Sequence, residues 1–323
     1  MKVRPPLAVG SISLRLYPHG ELPADGIVRE LRTQGALAEQ AGFDGVMTSE
    51  HHAGFAGYMP NPLQAASWLL ESMASSWAAA CPILLPLRPA ALVAEEVAWL
   101  AACFPGRVGL GVAAGSLESD FEIMELTKDR LAHRFATALS TVAAALGGKG
   151  TGPLLMDPAI ARCSEHPVPM VSAAMSRVAV RRAAGLGVGI LADSLSTPER
   201  ARQLTDAYHE AGGDQTCVLI RRAWVGEPPT SHIDEQISRY RSYAEPGAQA
   251  HWQSDQLVAS PEATEVAEEL AAVAVSAGAS ALNLRVHVPG VPREAVRDQI
   301  AALADVVAEL RRRWQPGPPL AAT

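Results

Sequence analysis

The chain has 323 residues, 48% of them hydrophobic and 19% charged, with a formal net charge of −7. That length affords a sizeable core in one large domain or two small ones, and the composition excludes a disordered chain or a highly charged binding module. The negative balance argues against nucleic acid or an anionic membrane as the main partner.

Taken in chain order, short apolar runs rich in Val, Ile and Leu alternate with longer, alanine-rich stretches of helical period. A strand is predicted at Leu7–Ile12, then a helix at Ile27–Gln40 ending before Gly42. Gly45–Thr48 and Pro62–Met73 form the next pair, followed by Ala80–Leu85 with Ala90–Cys103, and Val108–Ala113 with Asp129–Leu146. The second half continues with Pro169–Ser172 and Ser176–Ala184, Val188–Ala192 and Pro198–Ala211, Cys217–Val225 and Pro261–Ala277, and Ala281–Val286 with a last helix at Arg293–Trp314. Helix starts carry chemical punctuation. Ser196-Thr197-Pro198-Glu199 offers a cap, an early proline and a capping-box glutamate, and Ser260-Pro261-Glu262 repeats the cap-then-proline logic. Gly42, Gly212-Gly213 and Gly278 stand where helices end, and Arg311-Arg312-Arg313 complements the dipole at a helix C-terminus.

Eight strands alternating with helices imply a parallel sheet, and eight units can close a (β/α)8 TIM barrel. A typical barrel needs ~250 residues, which leaves about 70 for insertions within a single domain spanning 1–323. Two stretches suit insertions: 147–166, Gly/Pro-rich and weakly periodic, and 226–259, which holds a helical piece at Ile233–Tyr243. The four cysteines (Cys81, Cys103, Cys163 and Cys217) lie far apart, so neither a zinc knuckle nor a disulfide scaffold is indicated. With no signal-peptide pattern and no span suited to a bilayer, a cytoplasmic location is expected.

The densest chemistry follows the second strand. Thr48-Ser49-Glu50-His51-His52-Ala53 delivers a carboxylate and two adjacent imidazoles to the strand's C-terminal end, and Asn61-Pro62 opens the following helix. In a barrel of this kind active sites are built at that end, and an imidazole there exchanges protons near neutral pH. Adjacent histidines on extended backbone face opposite sides, a poor arrangement for chelating one metal. Neither a Rossmann glycine fingerprint in its strand–helix context nor a G-x-S-x-G elbow is present.

Glu-His-His, eight residues and then Asn-Pro resembles the pattern after the second strand of the bacterial luciferase-like flavin monooxygenases. The resemblance extends through Cys81-Pro82-Ile83-Leu84-Leu85-Pro86, Arg88-Pro89, Ala94-Glu95-Glu96-Val97-Ala98-Trp99-Leu100, Gly106-Arg107-Val108-Gly109-Leu110-Gly111-Val112, Asp120-Phe121, and Ala259-Ser260-Pro261-Glu262. It implies a flavin or deazaflavin at the barrel mouth, with His51 at the reactive edge and Glu50 and His52 orienting it. It implies a cis peptide in the third strand behind the ring, here Cys81-Pro82, where proline makes the cis form inexpensive. It also places the cofactor's phosphate at the turn Met175-Ser176-Arg177, which fits the anion affinity of a helix N-terminus. Where the luciferases carry a reactive cysteine and then a phosphate-binding arginine, this chain reads Ala113-Ala114. Light emission is therefore not expected.

The function so implied is a monooxygenase using reduced FMN, supplied by a separate flavin reductase, and molecular oxygen to oxidise a small organic substrate through a flavin peroxide. The substrate would lie under the 226–259 insertion, near Tyr240, Tyr243 and Trp252, and the family usually forms a homodimer. Hydride transfer with the deazaflavin coenzyme F-420 on the same fold is the alternative; a non-catalytic flavin-binding protein is a third possibility.

Overall fold

The computed structural model describes residues 3–55, 57–243 and 256–316. Eight parallel strands close a barrel: β1 (Ile12–Arg15), β2 (Gly45–Thr48), β3 (Trp77–Leu84), β4 (Val108–Ala113), β5 (Met170–Ala173), β6 (Gly189–Ala192), β7 (Cys217–Val225) and β9 (Ala281–Arg285). Closure comes from β6 pairing with β7 and from β9 lying between β7 and β1. A ninth strand, β8 (Leu257–Ser260), extends the sheet beside the far end of β7, with Arg222 opposite Leu257 and Val225 opposite Ser260. The connecting helices are α1 (Ala24–Gln40), α2 (Pro62–Ser72), α3 (Ala90–Cys103), α4 (Glu118–Glu122), α5 (Leu131–Leu146), α6 (Pro158–Arg162), α7 (Arg177–Gly185), α8 (Pro198–Glu210), α9 (Thr230–Tyr243), α10 (Ala263–Ala277) and α11 (Arg293–Arg313).

Period-two alternation divides each strand between two environments. In β1, Ile12 and Leu14 join the apolar layer between barrel and helices, together with Val46, Ala78 and Ala80. Met47, Trp77, Ala79, Cys81, Val171, Leu191, Val218, Ile220 and Ala281 fill the barrel's interior. Two glycines make that interior possible. A Cβ at Gly45 would stand 2.0 Å from the Trp77 ring, and one at Gly111 would stand 2.1 Å from Cys81 Sγ. Bulky neighbours therefore occupy space that the glycines leave empty. Leu7 closes the lower end against Gly109.

That plug corrects the expected first strand. Leu7 has φ 55 and Gly10 φ 75, so the Leu7–Gly10 stretch turns, and pairing begins only at Ile12. Its apolar signal came from burial under the barrel. The third strand starts at Trp77, earlier than expected, and Leu85–Leu87 is a 3-10 turn. Within the 147–166 insertion, a 3-10 turn at Gly152–Met156 leads into α6, capped by the Asp157 carboxylate accepting from Ala159 and Ile160. The 226–259 insertion carries α9, somewhat longer than expected, and ends in the unanticipated β8; its residues 244–255, including Trp252, lie outside those described.

Several helix ends follow their sequence signals. Asn61 and Thr197 cap α2 and α8, each followed by proline. Ser260 does not cap α10, which begins at Ala263; its hydroxyl accepts from the Glu262 N–H instead. At the other end, Arg311 pairs with Asp44 at 2.9 Å and donates to the Gly42 carbonyl, while Asp44 accepts the Ile12 N–H at 2.9 Å. The basic end of α11 thus locks the last helix onto the base of the first two strands. No helix among the described residues is long and apolar enough to cross a membrane.

Candidate active site

A cavity of about 340 Å³ opens at the C-terminal ends of the strands. Its walls are largely apolar (Pro82, Leu84, Ala113, Leu191, Leu195 and Ile220), with Arg15, Glu50, His51, Asp193, Tyr240 and Arg285 supplying polar edges. A flat, largely apolar ring with a few hydrogen-bonding atoms suits such a lining.

His51 stands just beyond β2, where the loop is held by an isolated bridge: the His51 N–H donates to Met59 O and the Met59 N–H to Ser49 O. Its Nδ1 lies 2.7 Å from Asp120 Oδ2, and the Asp120 side chain is completely buried. A carboxylate only accepts, so His51 donates through Nδ1 and Nε2 is left to exchange a proton with a ligand. Asp120 Oδ1 also accepts the His52 N–H at 2.8 Å, so one buried carboxylate holds both the ring and its backbone. The His51 ring packs edge-on against Tyr58, with centroids 4.5 Å apart, and beside Phe55 at 4.8 Å.

Glu50 and His52 take a different place. Glu50 Oε2 accepts the Leu84 N–H at 2.6 Å, and Oε1 accepts from Arg88 at 2.7 Å and from His52 Nε2 at 2.8 Å. All these oxygens are engaged in tying the end of β2 to the end of β3. Glu50 borders the cavity, whereas His52 does not line it and is turned back onto Glu50.

The Cys81–Pro82 bond is cis, as expected, and Pro82 lines the cavity. Burial pushes the Cys81 thiol up to about 11, so at neutral pH it is a packed, protonated group facing Gly111. Of the turn expected at the phosphate end, Met175 lines the cavity. Ser176 caps α7 by accepting the Ala179 N–H at 3.2 Å. Arg177 points away from the cavity and pairs with Glu210 on α8 at 2.9 Å. The cation that does touch this turn is Arg200, which donates to the Met175 carbonyl at 2.9 Å.

Arg15, Tyr58, Asp193 and Arg285 also border the cavity and carried no expected role, and Tyr240, one of the aromatics of the 226–259 insertion, joins them there. Asp193 turns back to accept the Leu195 and Ser196 N–H groups. Tyr58 and Tyr240 share a hydroxyl contact of 3.1 Å, and Arg285 donates to Tyr240 Oη at 3.3 Å and to Ser194 Oγ at 3.0 Å. Burial alone would raise the Tyr240 phenol, but the nearby Arg285 charge, the hydrogen bonds and Arg222 bring it below its ordinary value. Ser13 and Arg15 alternate with apolar Ile12, Leu14 and Leu16, the period-two pattern that marks the true first strand and sets Arg15 on its inner face. Tyr240 comes from a helix far along the chain, and no local pattern marks its contacts with Tyr58 and Arg285.

Comparison with known proteins agrees with this geometry. A family model described as luciferase-like monooxygenase matches residues 13–310. The F420-dependent glucose-6-phosphate dehydrogenase of Beutenbergia cavernae is 33% identical over 183 residues, covering 51% of this chain and 53% of that protein. The alkanal monooxygenase alpha chain of Photorhabdus luminescens is 28% identical over 190 residues, covering 59% and 50%. The matched regions thus span about half the length of these curated relatives. Among solved structures, the oxygenating constituent of 3,6-diketocamphane monooxygenase from Pseudomonas putida, a type II Baeyer-Villiger monooxygenase in complex with FMN, superposes with a TM-score of 0.74 at 15% identity, covering 98% of this chain and 100% of that one. A closed parallel barrel, a histidine–carboxylate pair at its mouth and a match across nearly the whole chain make this protein a member of the luciferase-like monooxygenase family.

Proposed function

We propose that the protein is a flavin-dependent monooxygenase that binds reduced FMN in the barrel mouth and oxidises a small organic substrate with molecular oxygen. The observation that carries this reading is the His51–Asp120 pair at 2.7 Å on the wall of the cavity. When bound, reduced FMN would supply the electrons that activate oxygen. The chain's own contribution is positional. Pro82, Leu84, Ala113 and Leu191 give the ring an apolar seat and keep water from it. His51 Nε2 accepts or returns a proton at the reacting edge, while Asp120 stabilises the imidazolium so formed. Glu50 and His52 act as positioning residues that hold the loop carrying His51. At the tail of the cofactor, the N-terminus of α7 and Arg200 offer N–H groups and a cation to the phosphate. A separate reductase would deliver the reduced flavin, two copies of the chain would form a homodimer, and the cytoplasm would be the site of action.

One observation favours a second reading. Ala113-Ala114 place no arginine directly at the end of β4, and a relative matched over about half of this chain is F420-dependent. Hydride transfer with that deazaflavin is therefore the alternative. Anaerobic titration with reduced FMN and reduced F420, followed by admission of oxygen over a panel of small carbonyl compounds, separates them. Substrate-dependent oxygen consumption with reduced FMN supports the first reading. Anaerobic hydride transfer with F420, without FMN-dependent oxygen use, overturns it in favour of the second. Binding without either turnover would leave only a non-catalytic flavin-binding protein.

A further inference from the structure

Arg15 is a buried guanidinium on the floor of the cavity, 3% exposed. Its Nε donates to Asn283 Oδ1 at 2.8 Å, one Nη to the Cys81 carbonyl at 2.9 Å, and the other Nη meets only the Met47 sulfur at 3.9 Å. No carboxylate among the described residues pairs with it. Guanidinium has five N–H donors. Three contacts, one of them a weak thioether, leave donor capacity directed to no protein group.

The position is built for this residue. Asn283 is itself oriented by donating to Ser13 Oγ at 2.9 Å, and Ser13 donates to Leu282 O at 3.2 Å. Ser13, Asn283 and Arg15 therefore form one relay across β1 and β9. The residue opposite Arg15 in the β9 register is another arginine, Arg285, which also lines the cavity. Like charges placed directly opposite disfavour the sheet, and an uncompensated buried charge disfavours the fold. Arg15, held in the barrel without a carboxylate partner, points to negative charge arriving with a ligand.

We propose that Arg15 is an anion-binding residue of the cavity floor, and that its ligand is the delocalised negative charge of the reduced cofactor ring. The inference rests on the cofactor reading above and deepens it by assigning the ring's charged edge to the floor beside the Cys81 carbonyl. With FMN, Arg15 then favours the reduced over the oxidised form, because only the reduced flavin ring carries that charge.

The test is the ratio of affinities for oxidised and reduced FMN, measured together with the bound midpoint potential, in wild type, Arg15→Lys and Arg15→Gln. Arg15→Gln should bind oxidised FMN about as well as wild type but reduced FMN about tenfold more weakly, which lowers a two-electron potential by about 30 mV. Arg15→Lys, keeping the charge, should lie near wild type. An unchanged ratio in folded Arg15→Gln overturns the proposal and makes Arg15 a clamp between strands. If Arg15→Gln does not fold, the near-UV spectrum of reduced FMN on wild type decides: an anionic ring where free reduced FMN is partly neutral supports the proposal, and a neutral ring overturns it. Failure of wild type to bind FMN or F420 in either state removes both the cofactor reading and this inference. Binding with an indifferent Arg15 removes the inference alone.

Discussion

At the scale of single residues, His51 and Asp120 have separable consequences. If His51 exchanges the proton as proposed, His51→Ala should lower turnover by about 10²–10⁴ while reduced FMN binds with little change. Stopped-flow turnover beside equilibrium titration checks this, and equal losses in both would show that His51 merely shapes the pocket. Asp120→Asn keeps the shape and the bond to the His52 N–H but no longer stabilises an imidazolium. Turnover should therefore fall about tenfold or more with reduced FMN still bound, because the ring loses the charged acceptor that fixes its Nδ1–H. Unchanged turnover would assign Asp120 to loop packing. The asymmetry between His51 and His52 is itself instructive. Adjacent imidazoles are chemically equal in the sequence, and only the fold gives one Asp120 and a cavity while turning the other onto Glu50.

Between elements, a single carboxylate joins α1 to the loop before β3. Glu39 accepts the N–H groups of Ala74, Ser75 and Ser76 at 2.7–2.8 Å and the Ser75 hydroxyl. Burial alone would raise it, but these hydrogen bonds lower it to about 2 from an ordinary 4.5. The sign follows from linkage: the contribution is complete above 4.5 and is lost as pH falls toward 2. Discounted for the solvent that reaches this half-buried group, it amounts to about 1–2 kcal/mol. Glu39→Gln should lose that much in urea denaturation at neutral pH and show a flatter acid limb than wild type. The strands make a complementary prediction. Gly111→Ala would force a methyl against Cys81, costing about 1–3 kcal/mol. Adding Cys81→Ala should recover part of the loss, because it removes the nearer contact; strict additivity of the two changes would contradict the close approach of β3 and β4.

For the whole molecule, acid sensitivity should track the buried histidine at the barrel's upper rim. His287 follows β9 and is 3% exposed; its Nδ1 has no hydrogen-bond partner, and its ring stacks on Tyr17 with an edge contact to His19. Burial first, then His19, Arg285 and Arg222, hold it well below 6.5. The folded state thus binds fewer protons than the unfolded chain below 6.5, and stability declines as pH falls through that value. Thermal unfolding from about pH 7 down to about pH 5 should show a falling Tm, less steep in His287→Phe, which keeps a ring of similar size. Identical slopes in the two proteins would place the acid response elsewhere.

Local chemistry was sufficient for much of this architecture. The alternation of apolar runs with alanine-rich helices, the Asn61-Pro62 and Thr197-Pro198 starts and the glycines after helix ends all act over a few residues, so they are legible along the chain. Glu50 and His51 were legible for the same reason, since the end of a strand and a distinctive residue cluster coincide in sequence. What the chain could not declare were pairings between distant segments. Leu7 reads as strand but serves as a plug, β8 is too short to signal itself, and Arg177 finds Glu210 in place of the cavity. Arg15 meets Asn283 across 268 residues, Tyr58 meets Tyr240 across 182, and His51 meets Asp120 across 69. Those partners are chosen by barrel closure, which brings β1 beside β9 and the loops of both together at one rim. The sequence alone determined most of the strand–helix alternation and where the Glu50–His51 cluster would emerge. The tertiary structure decided which of those side chains are buried, paired and aimed into the cavity, because burial and charge pairing arise only when remote segments share one dry space.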